Sequence, residues 1–223
     1  RSLPLSQGGH QPLGLVFEHS APTHPALERH ETLLAETDRL DSAQLSEEDV
    51  IAPSGYILVG LTLDARTGLG SLREYFDLLL PAVRDRDVAE VVALPEVRER
   101  VARMREQDQA FREAALAHSR LEGRVLVTDF RPLPTIPVGN RFLIFTLYPT
   151  ATVAVRVQWG PGREKVAVSA GRSILNRTSR ANLGVLMSVY GGGGHAGAGA
   201  CLLPAAGADA RIAEIVSTLQ RNG

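Results

Sequence analysis

The sequence predicts an α/β protein, mainly helical in its N-terminal portion and sheet-bearing in its C-terminal lobe. Three observations carry this. Apolar residues fall at helical spacing up to His118, runs rich in β-branched and aromatic residues broken by Pro and Gly turns follow Gly123, and an amphipathic helix over about 209–221 closes the chain. At 223 residues, one large domain or two small ones fit.

Residues 1–14 are punctuated by Pro, Gly, Gln and Ser and read as a leader, and 14–17 reads as a short strand ending at Glu18-His19-Ser20. Segment 25–41 opens with Pro25 and spaces Leu27, Leu33, Leu34 and Leu40 as a helix. Residues 49–55 read as turn chemistry. The apolar run 56–63 fits a strand or a buried helix, since periodicity alone does not separate them. Leu72, Phe76, Leu79 and Leu80 define a helix over 71–84. The longest helix runs from about Leu94 to His118, with Pro95 in its first turn, where a missing N–H costs nothing. Its stripe of Val97, Val101, Met104, Phe111 and Ala115 must be covered, while Arg98, Glu99, Arg100, Arg103 and Arg105 predict a helix packed on one side and suited to bridging two lobes. Strands are expected over 124–130, 142–148, 152–159 and 166–169. In the third, Ala154, Arg156 and Gln158 alternate with Val153, Val155 and Val157, giving one wet face. A helix near 182–189 and the glycine cluster 191–194 precede the last helix.

Composition narrows the function classes. The formal charge of -1 argues against a protein held on nucleic acid or membrane by net charge. Cys201 is the single cysteine, so no intrachain disulfide forms and a reducing compartment is expected. No apolar run is long enough to span a bilayer, and the first residues lack the apolar core of a signal peptide, which makes the cytoplasm the expected location. The sequence opens on Arg1 rather than Met, so a processed or incomplete start is expected. Lys165 is the one lysine among 24 basic residues; so uniform an arginine bias reflects genome composition better than phosphate recognition.

The most informative decapeptide is Gly191-Gly-Gly-Gly-His195-Ala-Gly-Ala-Gly-Ala200. Successive glycines let backbone N–H groups converge on an anion, and a histidine beside them adds a donor. The competing reading is a tight turn in which small residues let chain segments pack closely. Upstream, Arg172, Arg177 and Arg180 gather with Asn176 and several hydroxyls, a set suited to phosphate or sugar. Asp64 and Arg66 fit an ion pair holding a turn, Cys201 a buried core position, and His118 a helix C-terminus.

These motifs resemble a known family. Residues 168–179, then 182–187, then Tyr190-Gly-Gly-Gly-Gly-His-Ala-Gly-Ala-Gly199 resemble the DHH-associated domain that ends DHH phosphoesterases, nearest the exopolyphosphatase-related branch and close to the oligoribonucleases and phosphoadenosine phosphatases. Gly139-Asn-Arg-Phe142, residues 63–70 and residues 41–46 extend the resemblance from about residue 15 to the C-terminus. It implies a reduced DHH-type portion over 1–90, a linker helix over 91–118, and a smaller α/β DHH-associated domain with a mixed sheet over 119–223. It also implies substrate binding by Asn176, Arg177, Gly191, Gly192, Gly193, Gly194 and His195, and Mn (or Mg) held by Glu18, His19, Asp38 and Asp41, whose hydroxide attacks phosphorus. The chain departs from the pattern where Glu18-His19-Ser20 stands for Asp-His-His and where the first Asp-x-Asp pair has no counterpart. Expected partners are a phosphate-bearing small molecule or short oligonucleotide, with no membrane and with a homodimer as one possibility. The expected function is a metal-dependent phosphoesterase; the alternatives are a phosphate- or nucleotide-binding module without hydrolysis and a scaffold using the long helix.

Overall fold

A computed structural model describes residues 30–222. The leader, the strand expected over 14–17, and the start of the first predicted helix lie outside the described residues. The chain divides into two compact units, 1–106 and 107–223, and the boundary falls inside the longest helix.

Within the first unit the described residues are helical. Helix α1 (Glu31–Asp41) is followed by α2 (Glu47–Ile51), α3 (Gly55–Leu61), a 3-10 turn (Ala65–Thr67), α4 (Leu72–Asp85), α5 (Val88–Val92) and α6 (Pro95–His118). The segment read as a turn from residue 49 begins instead inside α2, because Ser46 and Asp49 form a reciprocal capping box that starts a helix there. The ambiguous run 56–63 is helix. Its start is fixed from outside: the Glu36 carboxylate on α1 accepts the Tyr56 and Ile57 N–H groups at 2.6 and 3.1 Å. Leu58, Val59, Tyr75, Leu79, Val91 and Val97 form the core of this unit.

The stripe predicted on α6 is buried along its whole length, from Val97 to Ala115. Arg100 departs from the expected polar face, being only 5% exposed. Its guanidinium donates to Thr67 Oγ1 at 3.0 Å and to the Leu69 carbonyl, and stacks 4.0 Å from the Tyr75 ring centroid. A charge buried without a carboxylate is tolerable here because a hydroxyl, a carbonyl and a π-face replace its water.

The second unit carries a six-stranded mixed sheet, order β1-β2-β3-β4-β6-β5, built from β1 (Ser119–Glu122), β2 (Val125–Asp129), β3 (Val153–Trp159), β4 (Lys165–Arg172), β5 (Gly193–His195) and β6 (Ala198–Pro204). Only β2 and β3 pair in parallel, and their crossover holds α7 (Leu143–Leu147). This is the run expected as a strand over 142–148. The sequence is apolar at consecutive positions rather than alternating, and Asn140 turns it into helix: its side-chain oxygen accepts the Phe142 N–H and its carbonyl the Leu143 N–H. One sheet face is packed against α8 (Leu183–Ser188) and α9 (Ala208–Arg221), with Val155, Val168, Met187, Cys201, Ile215 and Leu219 in the core. The alternation predicted for β3 is observed, Val153, Val155 and Val157 being buried and the residues between them half-buried. Strands β1, β5 and β6 were not expected from the sequence.

Candidate functional site

The glycine run folds into the hairpin β5–β6 rather than a free loop. Gly193 pairs with Ala200, Gly194 with Gly199 and His195 with Ala198. The competing readings of the run divide among its glycines. A Cβ at Gly192 would collide with the Ala200 carbonyl oxygen and one at Gly194 with that of Ala198, while one at Gly199 would lie 2.6 Å from the Leu183 carbonyl oxygen. Gly184 on α8 is equally close to Gly194, so Gly184, Gly192, Gly194 and Gly199 let α8 and the two strands meet backbone to backbone. Gly193 needs no such excuse. It is exposed, its Cβ direction is open for 4 Å, and its φ lies outside the left-handed region. Gly191 is also exposed and open, at φ +73°.

His195 ends β5 and is exposed. Its Nδ1 accepts the Gly197 N–H at 3.1 Å. With Nδ1 used as an acceptor, the neutral ring carries its proton on Nε2, which is left as a donor toward solvent.

The arginine-rich segment returns to the same hairpin at both ends. Arg172 at the end of β4 donates its N–H to the Gly197 carbonyl at 2.9 Å, and the Leu183 N–H reaches the Ala196 carbonyl at 3.2 Å. The loop between is organised by buried Ser173, whose Oγ accepts from Leu175 and Asn176 N–H groups at 3.2 and 2.9 Å. Asn176 accepts from Thr178 Oγ1 at 2.8 Å and donates its amide to the Thr150 carbonyl at 3.4 Å. Arg177 is exposed and donates Nε to the Ile174 carbonyl at 2.9 Å. Arg172, grouped with Arg177 and Arg180 in the sequence, turns inward to hold the Ala181 carbonyl and is structural.

Register places more on this face than the sequence motif names. Gly193, Ala200, Ser169 and Arg156 form one row across β5, β6, β4 and β3; His195, Ala198, Gly171 and Ala154 form the next. Side chains of both rows project to the face opposite α8 and α9. Arg156 was legible only as part of a wet face, and its row partners needed the pairing register.

Of the four expected metal ligands, Asp38 and Asp41 fall among the described residues. Glu18 and His19 lie outside the described residues. Asp38 is half-buried on α1 and Asp41 is the last, exposed residue of that helix. Among the described residues no three His, Cys, Asp or Glu side chains come together to hold an ion. Asp38 and Asp41 by themselves do not complete a two-metal centre, which needs several hard oxygen ligands. Asp64, the other acid near the matched segments, is engaged by Arg66 through Nε and NH2 at 2.5 to 3.0 Å; these bonds, against the opposing effect of burial, hold its carboxyl below the usual aspartate range. No described helix is long and apolar enough to cross a membrane.

No family model and no curated protein matches the chain. Among solved structures, the pGpG-specific phosphodiesterase PggH of Vibrio cholerae is 31% identical, with a TM-score of 0.84 over 94% of this chain and 73% of that one. The DHH domain of a member of the s1p family of ribosomal proteins is 13% identical, with a TM-score of 0.50 over 93% of this chain and 54% of that one, a likeness of fold alone. With identity and coverage of that order to the first, and with the glycine-histidine hairpin in place, the chain belongs to the DHH family of phosphoesterases.

Proposed function

We propose that the chain is a phosphoesterase acting on a short oligonucleotide of dinucleotide size, and that the 119–223 region grips the substrate phosphate through Gly191–Gly194 and His195, with Asn176 and Arg177 in the flanking loop. One observation carries the reading: Gly193 and His195 lie exposed on the open sheet face, and nothing in the packing requires Gly193 to lack a side chain. A missing Cβ that folding does not demand suits close approach of a ligand to the backbone. The His195 Nε2–H and an outward main-chain N–H of the edge strand β5 donate to phosphate oxygens, which orients the phosphorus and sets developing negative charge beside fixed donors, while the Gly191 and Gly192 N–H groups are held by the Ser188 and Met187 carbonyls. The similarity to a pGpG-specific phosphodiesterase supports a dinucleotide over inorganic polyphosphate. DHH phosphodiesterases depend on metal; Mn or Mg is proposed here, with Glu18, His19, Asp38 and Asp41 as candidate donors.

The test is hydrolysis of 5′-phosphorylated dinucleotides, phosphoadenosine phosphate and polyphosphate by the full chain with Mn or Mg. Release of mononucleotides from the dinucleotide, with His195→Ala at least tenfold slower, is the expected result. Turnover of polyphosphate alone would contradict the substrate class, and dinucleotide binding without turnover would make the chain a binding module.

A further inference from the structure

We propose that Arg156 is a specificity-determining residue that reads the base of a guanine nucleotide whose phosphate lies on the Gly193–His195 strand. The inference rests on the phosphate reading above and adds the direction in which the rest of the ligand lies.

The two rows that begin at Gly193 and His195 run across β6 and β4 to β3, and they carry small side chains throughout until Arg156. Ser169 and Ala200 are exposed, and a Cβ at Gly171 would meet no atom within 4 Å. The result is a shallow trough with a flat floor of Ala198, Ala200 and Gly171, bounded by His195 at one end and Arg156 at the other. Three strand steps of about 4.8 Å separate its ends, roughly 14 Å. At the far end the sheet face becomes covered: Phe130 is 1% exposed and tilts against Phe111, and the Arg156 guanidinium lies 5.0 Å from the Phe130 ring centroid. The ring fixes the guanidinium where the covered half of the face meets the open half.

The floor decides between ligand classes. A chain of phosphates along it would find no cation between His195 and Arg156, whereas a nucleoside lays the π-face of its base on Cα and Cβ atoms. The planar fork of Arg156 matches the O6 and N7 acceptors of guanine, a pairing that discriminates against other bases. Ser169 Oγ sits beside it in the same row and is free to meet polar edges of base or ribose.

Calorimetry on the metal-free full chain tests this with guanosine 5′-monophosphate and ribose 5-phosphate, which shares the phosphate and sugar but has no base. Arg156→Ala removes the fork. Gly171→Val raises the floor at a position where a β-branched residue suits a strand and meets open space. Both variants are expected to weaken the nucleotide at least tenfold and to leave ribose 5-phosphate within twofold, while His195→Ala weakens both ligands. Unchanged nucleotide affinity in Arg156→Ala and Gly171→Val, beside a weakened His195→Ala, would overturn the base-reading role and leave the phosphate reading intact. An equal loss of both ligands in Arg156→Ala would also overturn it. No effect of His195→Ala on either ligand would overturn the phosphate reading itself.

Discussion

Asp129 shows how single side chains set conditions for the C-terminal lobe. Burial alone would raise its carboxyl, but side-chain and backbone hydrogen bonds from Arg131, at 2.6 to 3.1 Å, reverse this and hold it below the usual aspartate range. Arg131 also bridges to Asp209 at 2.7 Å and lies 5.9 Å from the Trp159 ring centroid, so one guanidinium ties β2 to α9. A carboxyl depressed in the folded state stabilises it fully above the unfolded value near 3.9, and that contribution is lost as pH falls through the folded value. Urea midpoints at pH 6 and pH 2.5 should therefore fall further for the wild type than for Asp129→Asn; equal falls would show that the pair does not contribute. At the same scale, the sequence motif singled out His195 as a donor beside the glycines but could not say which glycines serve packing. That depended on which Cβ directions point into α8 and which into solvent.

The elements record where pattern suffices and where a distant residue decides. Stripes with clear spacing, as on α6 and α9, were legible because each buries one face regardless of its neighbours; on α4 the helix was legible but its face was not, since Tyr75, Leu79 and Ala82 are buried while Phe76 and Leu80 are exposed. Apolar runs without spacing were not. The 56–63 run is helical because Glu36, twenty residues earlier, caps it, and 143–147 is helical because Asn140 closes a turn before it. Gly55 makes the first cap possible: it sits at φ +58°, and a Cβ there would lie 2.6 Å from Glu36 Oε2. Gly55→Ala adds left-handed strain of about 1–2 kcal/mol and displaces a cap worth about 1 kcal/mol. A loss of about 2–3 kcal/mol in denaturant unfolding is expected, and a loss below about 0.5 kcal/mol would show that Glu36 does not set the start of α3.

For the whole molecule, the family was legible in the C-terminal 60 residues, and the mixed α/β class followed from the change of periodicity near Gly123. The sheet order was not. It required knowing that the glycine run itself supplies β5 and half of a hairpin, which a sequence poor in β-branched residues between 191 and 200 conceals. The function turns on whether that hairpin presents its backbone to a phosphate. Gly193→Ala asks this with least disturbance, since alanine fits both the φ and the space there and the change removes chain entropy from the unfolded state. The measurement is a pair on the full chain, melting temperature and calorimetric affinity for a 5′-phosphorylated guanine dinucleotide. The account predicts an unchanged or slightly raised melting temperature with affinity at least tenfold weaker, and unchanged affinity in the folded variant would contradict it.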